Sequence, residues 1–179
     1  MHVELLSTSL REGSASRRAL ELMARALDEL GVTTRINDLR ELPMALCDGR
    51  ELDEYPPAYG ALHARLVEAD GVVIGFPVHL YSSSGPAKNL VDIVGGALEG
   101  RLVALVSAAG SLRSHLAVRD LMGALVMECE AFVHPATAQV TAEDVETAEV
   151  RERLHELARG FVRAASALRV LREPAEVAA

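Results

Sequence analysis

Four residues near the start of the chain, Ser9, Arg11, Ser14 and Ser16, carry the side chains that a phosphate group requires. Hydroxyls donate single hydrogen bonds, and a guanidinium forks onto two phosphate oxygens at once. The four stand in Ser9-Leu10-Arg11-Glu12-Gly13-Ser14-Ala15-Ser16, between a strand-like run, Val3-Glu4-Leu5-Leu6, and a helical pattern that opens at Ser14. A helix start adds unpaired N–H groups and about half a positive charge. The loop has neither the Gly-Lys-Ser/Thr of a Walker motif nor the Gly-x-Gly-x-x-Gly of a dinucleotide fold. The alternative is that Ser14 only caps its helix while Arg11 stays in water.

A second loop, Pro77-Val78-His79-Leu80-Tyr81-Ser82-Ser83-Ser84, follows the unbroken β-branched run Val72-Val73-Ile74 and leads into a helical segment, Gly85 to Val94. Rigid Pro77, aliphatic Val78 and Leu80, and exposed backbone amides would wall a flat ring and donate to its edge. His79 and Tyr81 are the conspicuous side chains, but a lone His serves more often as a hydrogen-bonded structural group than as an acid or base. Ser107-Ala108-Ala109-Gly110-Ser111 is a third small-residue loop, where backbone can approach a ligand closely. None of the serines sits in a Gly-x-Ser-x-Gly elbow, and the histidines lack metal-ligand spacing, which argues against a nucleophilic hydrolase or a metal site.

The elements that must position these loops alternate. Strands are expected at Val3–Leu6, Val32–Asn37, Val72–Ile74, Leu102–Val106 and Phe132–Val133, the last extended by Ala138–Val140. Helices are expected from Ser14 to Gly31, from Pro56-Pro57 onward, over Gly85–Val94, from Leu112 to about Glu128, and from about Ala142 to Val170. Asp38 to Asp53 reads as irregular, and the Ser/Gly/Pro cluster after Ile74 is expected to stop that strand. This repetition describes an α/β sandwich of three layers, with a five-stranded parallel sheet of order 2-1-3-4-5 between helices. The three polar loops leave neighbouring strand ends on either side of the switch point and would line one cleft.

Composition narrows the classes. Half the 179 residues are hydrophobic, only 3 % are aromatic and there is no Trp, so the core is built from Leu, Val, Ala and Ile. One domain over residues 1–171 with a tail at 172–179 suits this length. The net charge of −8, with 17 Arg dispersed among acids and a single Lys, Lys88, argues against nucleic acid, and it means that a bound phosphate needs local donors. Two distant cysteines, Cys47 and Cys129, and the lack of a signal-like or membrane-length apolar run fit a reduced, cytoplasmic setting without a membrane span.

Together these segments resemble the flavodoxin-like NADPH-dependent FMN reductase family, which includes flavin reductases of two-component monooxygenases and related quinone and azo reductases. Ser9 to Ser16 is similar to the family's Ser-x-Arg-x-x-Ser-x-Ser/Asn phosphate loop. Pro77 to Asp92 follows its Pro-Glu-Tyr-Asn-Gly-Ser-x-Pro-Gly…Lys-Asn…Asp segment at Pro77, Ser82, Gly85, Lys88, Asn89 and Asp92. Glu68-Ala69-Asp70 and Ala109-Gly110 also fit, and the similarity runs to about residue 145. The resemblance implies FMN as cofactor, its phosphate held by Ser9, Arg11, Ser14 and Ser16. Pro77, Val78, His79, Leu80, Tyr81 and Ser82 would then flank the isoalloxazine, with Ala109, Gly110 and Ser111 approaching from the adjacent loop. It implies hydride transfer from NADPH or NADH to the flavin, and onward to free flavin, a quinone or another small acceptor, with no acid–base dyad from the protein. A homodimer or homotetramer is implied as well, and a monooxygenase partner for the branch that also carries Pro-Val at this place. Two departures stand out: Val78-His79-Leu80 replaces the usual Glu-Tyr-Asn, and Thr8 stands where Gly often precedes the serine. The rival reading is a non-catalytic FMN-binding module. Lys88, Asn89 and Asp92 read as helix packing and capping residues.

Overall fold

The computed structural model describes residues 1–111, Ser114 and 116–172. Its strands β1 (His2–Ser7), β2 (Thr33–Asp38), β3 (Gly71–His79), β4 (Ser82–Ser83), β5 (Leu102–Ala108), β6 (Phe132–Val133) and β7 (Ala138–Val140) alternate with helices α1 (Ala15–Glu29), α2 (Pro57–Glu68), α3 (Gly85–Val94), α4 (Ala117–Met127) and α5 (Ala148–Arg172). The parallel order is β2-β1-β3-β5, and β6 and β7 both lie against β5. This is the flavodoxin-like order expected, with the fifth strand in two pieces. The first residue of the expected tail, Arg172, ends α5, and the rest lies outside the described residues.

Alternation along the strands divides the core. Val3, Leu5, Val73, Ala104 and Val106 meet α1 and α5 on one face, around Leu20, Met23, Leu27, Leu154 and Phe161. Leu6, Ile74, Phe76, Val103 and Leu105 meet α2, α3 and α4 on the other, around Tyr59, Leu62, Leu66, Leu90 and Leu121. Strands buried on both faces are what unbroken apolar runs encode. None of the described helices is long and apolar enough to cross a membrane.

The structure corrects three expectations. β3 does not stop at Ile74 but continues through Pro77 to His79, because Pro77, lacking an N–H, stands at the last pair of the β3–β5 ladder, opposite Ala108. The strand then turns back antiparallel, with His79 opposite Ser82. α5 begins at Ala148 instead of Ala142, since Thr141 and Asp144 form a closed turn (Thr141 N to Asp144 Oδ1, 2.6 Å) and Thr147 Oγ1 accepts from Val150 N at 3.3 Å. α4 begins at Ala117; of the stretch expected before it, Leu112, Arg113 and His115 lie outside the described residues.

Candidate flavin site

The β1–α1 loop is shaped by its own hydroxyls. Ser9 Oγ accepts from Arg11 N at 3.2 Å, and Gly13 takes a left-handed turn at φ 62°. Ser14 Oγ then caps α1 by accepting from Arg17 N at 3.3 Å and lies 3.4 Å from Ser16 Oγ. Ser9, Ser14 and Ser16 are buried, whereas Arg11 reaches into solvent. The first turn of α1 contains no acid and does contain Arg17 and Arg18. Acids favour a helix start and cations oppose it, so this arrangement suits an arriving anion. Arg17 is held by Glu21 (2.9 Å) and Asp38 (3.0 Å), and Arg18 donates to Ala142 O at 3.1 Å. Arg11 forms no ion pair among the described residues, which leaves its guanidinium available.

The opposite part of the site comes from the ends of β3 and β5. Ser84 N donates to Pro77 O at 3.1 Å and Ser84 Oγ caps α3 by accepting from Ala87 N at 3.4 Å, so a second helix start faces the same space. Ala109 N donates to Val140 O at 2.9 Å, which sets the course of the loop after β5. Between these walls lies a cavity of about 470 Å³, within the range of small-molecule sites. Ser9, Arg11, Ser14 and Ser16 line one end, Pro77, Val78 and His79 one side, and Ala109 and Gly110 the other.

Nine of the thirteen expected site residues therefore share one cavity. Leu80, Tyr81, Ser82 and Ser111 are not among its lining residues. Leu80 and Tyr81 occupy a two-residue turn at φ 48° and 65° that carries them outward, to 97 % and 62 % exposure. Ser82 Oγ donates to Asp120 Oδ2 at 2.6 Å, and Ser111 O accepts from Gln139 Nε2 at 2.7 Å. The cavity adds Thr8, Ser84, Pro86, Ala108 and Ala142 to the expected set, together with Leu10 and Ala15. Ser84 carried a readable signal, a capping residue before Gly85-Pro86; Ala142 carried none. Lys88 pairs with Asp92, while Asn89 Nδ2 donates to Ala45 O (2.9 Å) and its Oδ1 accepts from Cys47 N (2.8 Å). Those three serve structure, and no cluster of metal-ligating side chains occurs among the described residues.

The donor set fits FMN. Hydroxyls, a free guanidinium and a helix start suit a phosphate, and the apolar gap between Val78 and Ala109 suits a flat ring. Among the described lining residues the only ionisable groups are Arg11 and His79, and none is a carboxylate that would oppose an anion.

The model of the NADPH-dependent FMN reductase family matches residues 1–147. The chain belongs to that family. It is thus an oxidoreductase that works with FMN and NAD(P)H. It is 27 % identical over 134 residues to an NAD(P)H-dependent FAD/FMN reductase of Geobacillus thermodenitrificans, covering 71 % of this chain and 72 % of that one. It is 33 % identical over 117 residues to a probable NADPH:quinone oxidoreductase 2 of Oryza sativa, covering 62 % and 57 %. FerB, a flavoenzyme NAD(P)H:(acceptor) oxidoreductase from Paracoccus denitrificans, superposes with a TM-score of 0.77 at 19 % identity over 93 % of this chain and 97 % of its own. At that identity the likeness shows the shared fold.

Proposed function

We propose that the cavity holds FMN with its phosphate on Ser9, Arg11, Ser14, Ser16 and the α1 N-terminus, and its ring between Pro77–His79 and Ala108–Gly110. The observation that carries this reading is the pairing of a carboxylate-free phosphate cradle with an apolar slot in one cavity. FMN supplies the hydride chemistry when bound. The chain's own residues bind and orient: Ser9, Ser14 and Ser16 donate to the phosphate, Arg11 neutralises it, and Pro77 and Val78 keep water from one ring face. Ala109 and Gly110 present little side-chain bulk opposite them, leaving room for a nicotinamide or an acceptor over the ring. The reductant is NADPH or NADH, and electrons pass to a small acceptor, free flavin or a quinone, the substrate classes named for the bacillus and rice relatives. A homodimer or homotetramer, a cytoplasmic location and a monooxygenase partner belong to the same reading.

The test is a visible spectrum of the purified protein, an FMN titration followed by flavin fluorescence, and nicotinamide oxidation with FMN and quinone acceptors. Saturable FMN binding with turnover supports the reading. Absence of both removes it, and tight FMN binding without nicotinamide oxidation leaves a flavin-binding module.

A further inference from the structure

Between the β3–β4 hairpin and the start of α4 lies a groove of about 450 Å³ lined by Tyr81, Leu116, Arg119 and Asp120. His79 lines the flavin cavity and Tyr81 lines the groove, two residues apart on the β3–β4 hairpin. We propose that this groove receives the adenosine end of the nicotinamide nucleotide, with the adenine on Tyr81 and Leu116 and a phosphate on Arg119.

The chemistry of the lining residues argues for that occupant. Tyr81 and Leu116 are 62 % and 47 % exposed and form an apolar, aromatic surface of the kind on which a base stacks. Arg119 is exposed and makes no ion pair among the described residues, in a chain whose net charge is −8. A free guanidinium is the local donor that a phosphate needs against a repelling field. α4 begins beside it with no side-chain cap, so its first amides add positive potential. Asp120 is the one acid among the described residues of the groove. Its Oδ2 accepts from Ser82 Oγ, which ties the hairpin to α4; its other oxygen is an acceptor that ribose hydroxyls match, with the phosphate assigned to Arg119. The turn also points to use of this surface. Leu80 and Tyr81 both adopt positive φ, a conformation in which Asn and Gly are favoured, and the chain presents two large apolar side chains there.

This inference rests on the flavin-reductase reading. Its test measures the affinity of NADPH, NADH and adenosine 2′,5′-bisphosphate for wild type, Arg119→Ala and Tyr81→Ala by calorimetry, with FMN affinity and the KM for each nucleotide in parallel. Both variants are expected to bind NADPH about tenfold more weakly, as loss of a charged hydrogen bond or of a stacking contact predicts. A loss for Arg119→Ala confined to NADPH and the bisphosphate assigns the guanidinium to the 2′-phosphate, and an equal loss for NADH assigns it to the diphosphate. Nucleotide affinities that match wild type in both variants overturn the proposal. So does an equal loss of FMN affinity, or a change of oligomeric state without a change in nucleotide binding, which would make the groove a contact between copies. A wild-type protein that neither binds FMN nor oxidises either nucleotide fails the flavin-reductase reading itself, and that outcome is distinct from the others.

Discussion

Gly75 O accepts two hydrogen bonds from Thr8, one from its N at 3.0 Å and one from its Oγ1 at 2.9 Å. This ties the loop proposed to hold the phosphate to the strand that leads into the ring wall. A glycine in place of Thr8 could supply only the first bond. Thr8→Val keeps the shape and removes the hydroxyl, in a residue that is fully buried. It is expected to cost about 1 kcal/mol in urea denaturation and to weaken FMN binding several-fold by freeing the two walls from each other.

Gly75 also bears on the helix above it. A Cβ built there would stand 2.5 Å from Leu20 Cγ and Cδ1. Leu20 is fully buried and cannot swing away, so Gly75→Ala must displace α1 from β3. A destabilisation of about 1–3 kcal/mol is expected, read from the denaturation midpoint. Because α1 carries Ser14 and Ser16, FMN affinity should fall with it.

Arg11 tests the cradle with little effect on the fold, since it is exposed and unpaired among the described residues. Arg11→Ala is expected to lower FMN affinity about tenfold or more while leaving the melting temperature within about 1 °C of wild type. Riboflavin, which lacks the phosphate, should lose no affinity. Equal loss for both ligands in a fluorescence titration would place Arg11 away from the phosphate.

How far the sequence led differs between the elements. Val72-Val73-Ile74 and Leu102 to Val106 were legible as doubly buried strands because nothing polar interrupts them, and Ser14 was legible as a cap by residue type. The β3–β4 hairpin was not legible, since β4 is two residues long and Leu80-Tyr81 opposes the usual turn chemistry. The start of α5 was hidden because Thr141 and Asp144 bond to each other's backbone in competition with a helix. Ala142 lines the cavity and its carbonyl accepts from Arg18, 124 residues away, and local patterning carries no trace of that.

Asp38 makes a pH-dependent contribution. Its buried carboxylate closes β2 and accepts from Arg40 N, Nε and Nη2 and from Arg17 Nη1. The hydrogen bonds from Arg40, joined by the charges of both arginines, outweigh burial and hold this carboxyl below its ordinary range. The folded value is thus below the unfolded one, near 3.9. The stabilisation is present above that pH and is lost as pH falls through the folded value. Asp38→Asn is expected to be less stable than wild type by about 1–3 kcal/mol at neutral pH. Thermal melts from about pH 7 to about pH 2.5 should show the gap closing only below about pH 4, and a constant gap would contradict the assignment.

The turn at Leu80-Tyr81 separates stability from binding. With His79 opposite Ser82 and both central φ values positive, this is a type I′ hairpin whose central residues should be Asn and Gly. Each L side chain held there costs about 1 kcal/mol, and neither is repaid by burial, since Leu80 is 97 % and Tyr81 62 % exposed. Leu80→Asn and Tyr81→Gly together are expected to raise stability by about 1–3 kcal/mol. Tyr81→Gly alone should raise the denaturation midpoint and yet weaken NADPH binding, because it relieves the backbone and removes the ring on which adenine is proposed to stack. A purely structural turn would gain stability with nucleotide affinity unchanged. The two measurements on one variant therefore decide whether the strain is kept for a ligand.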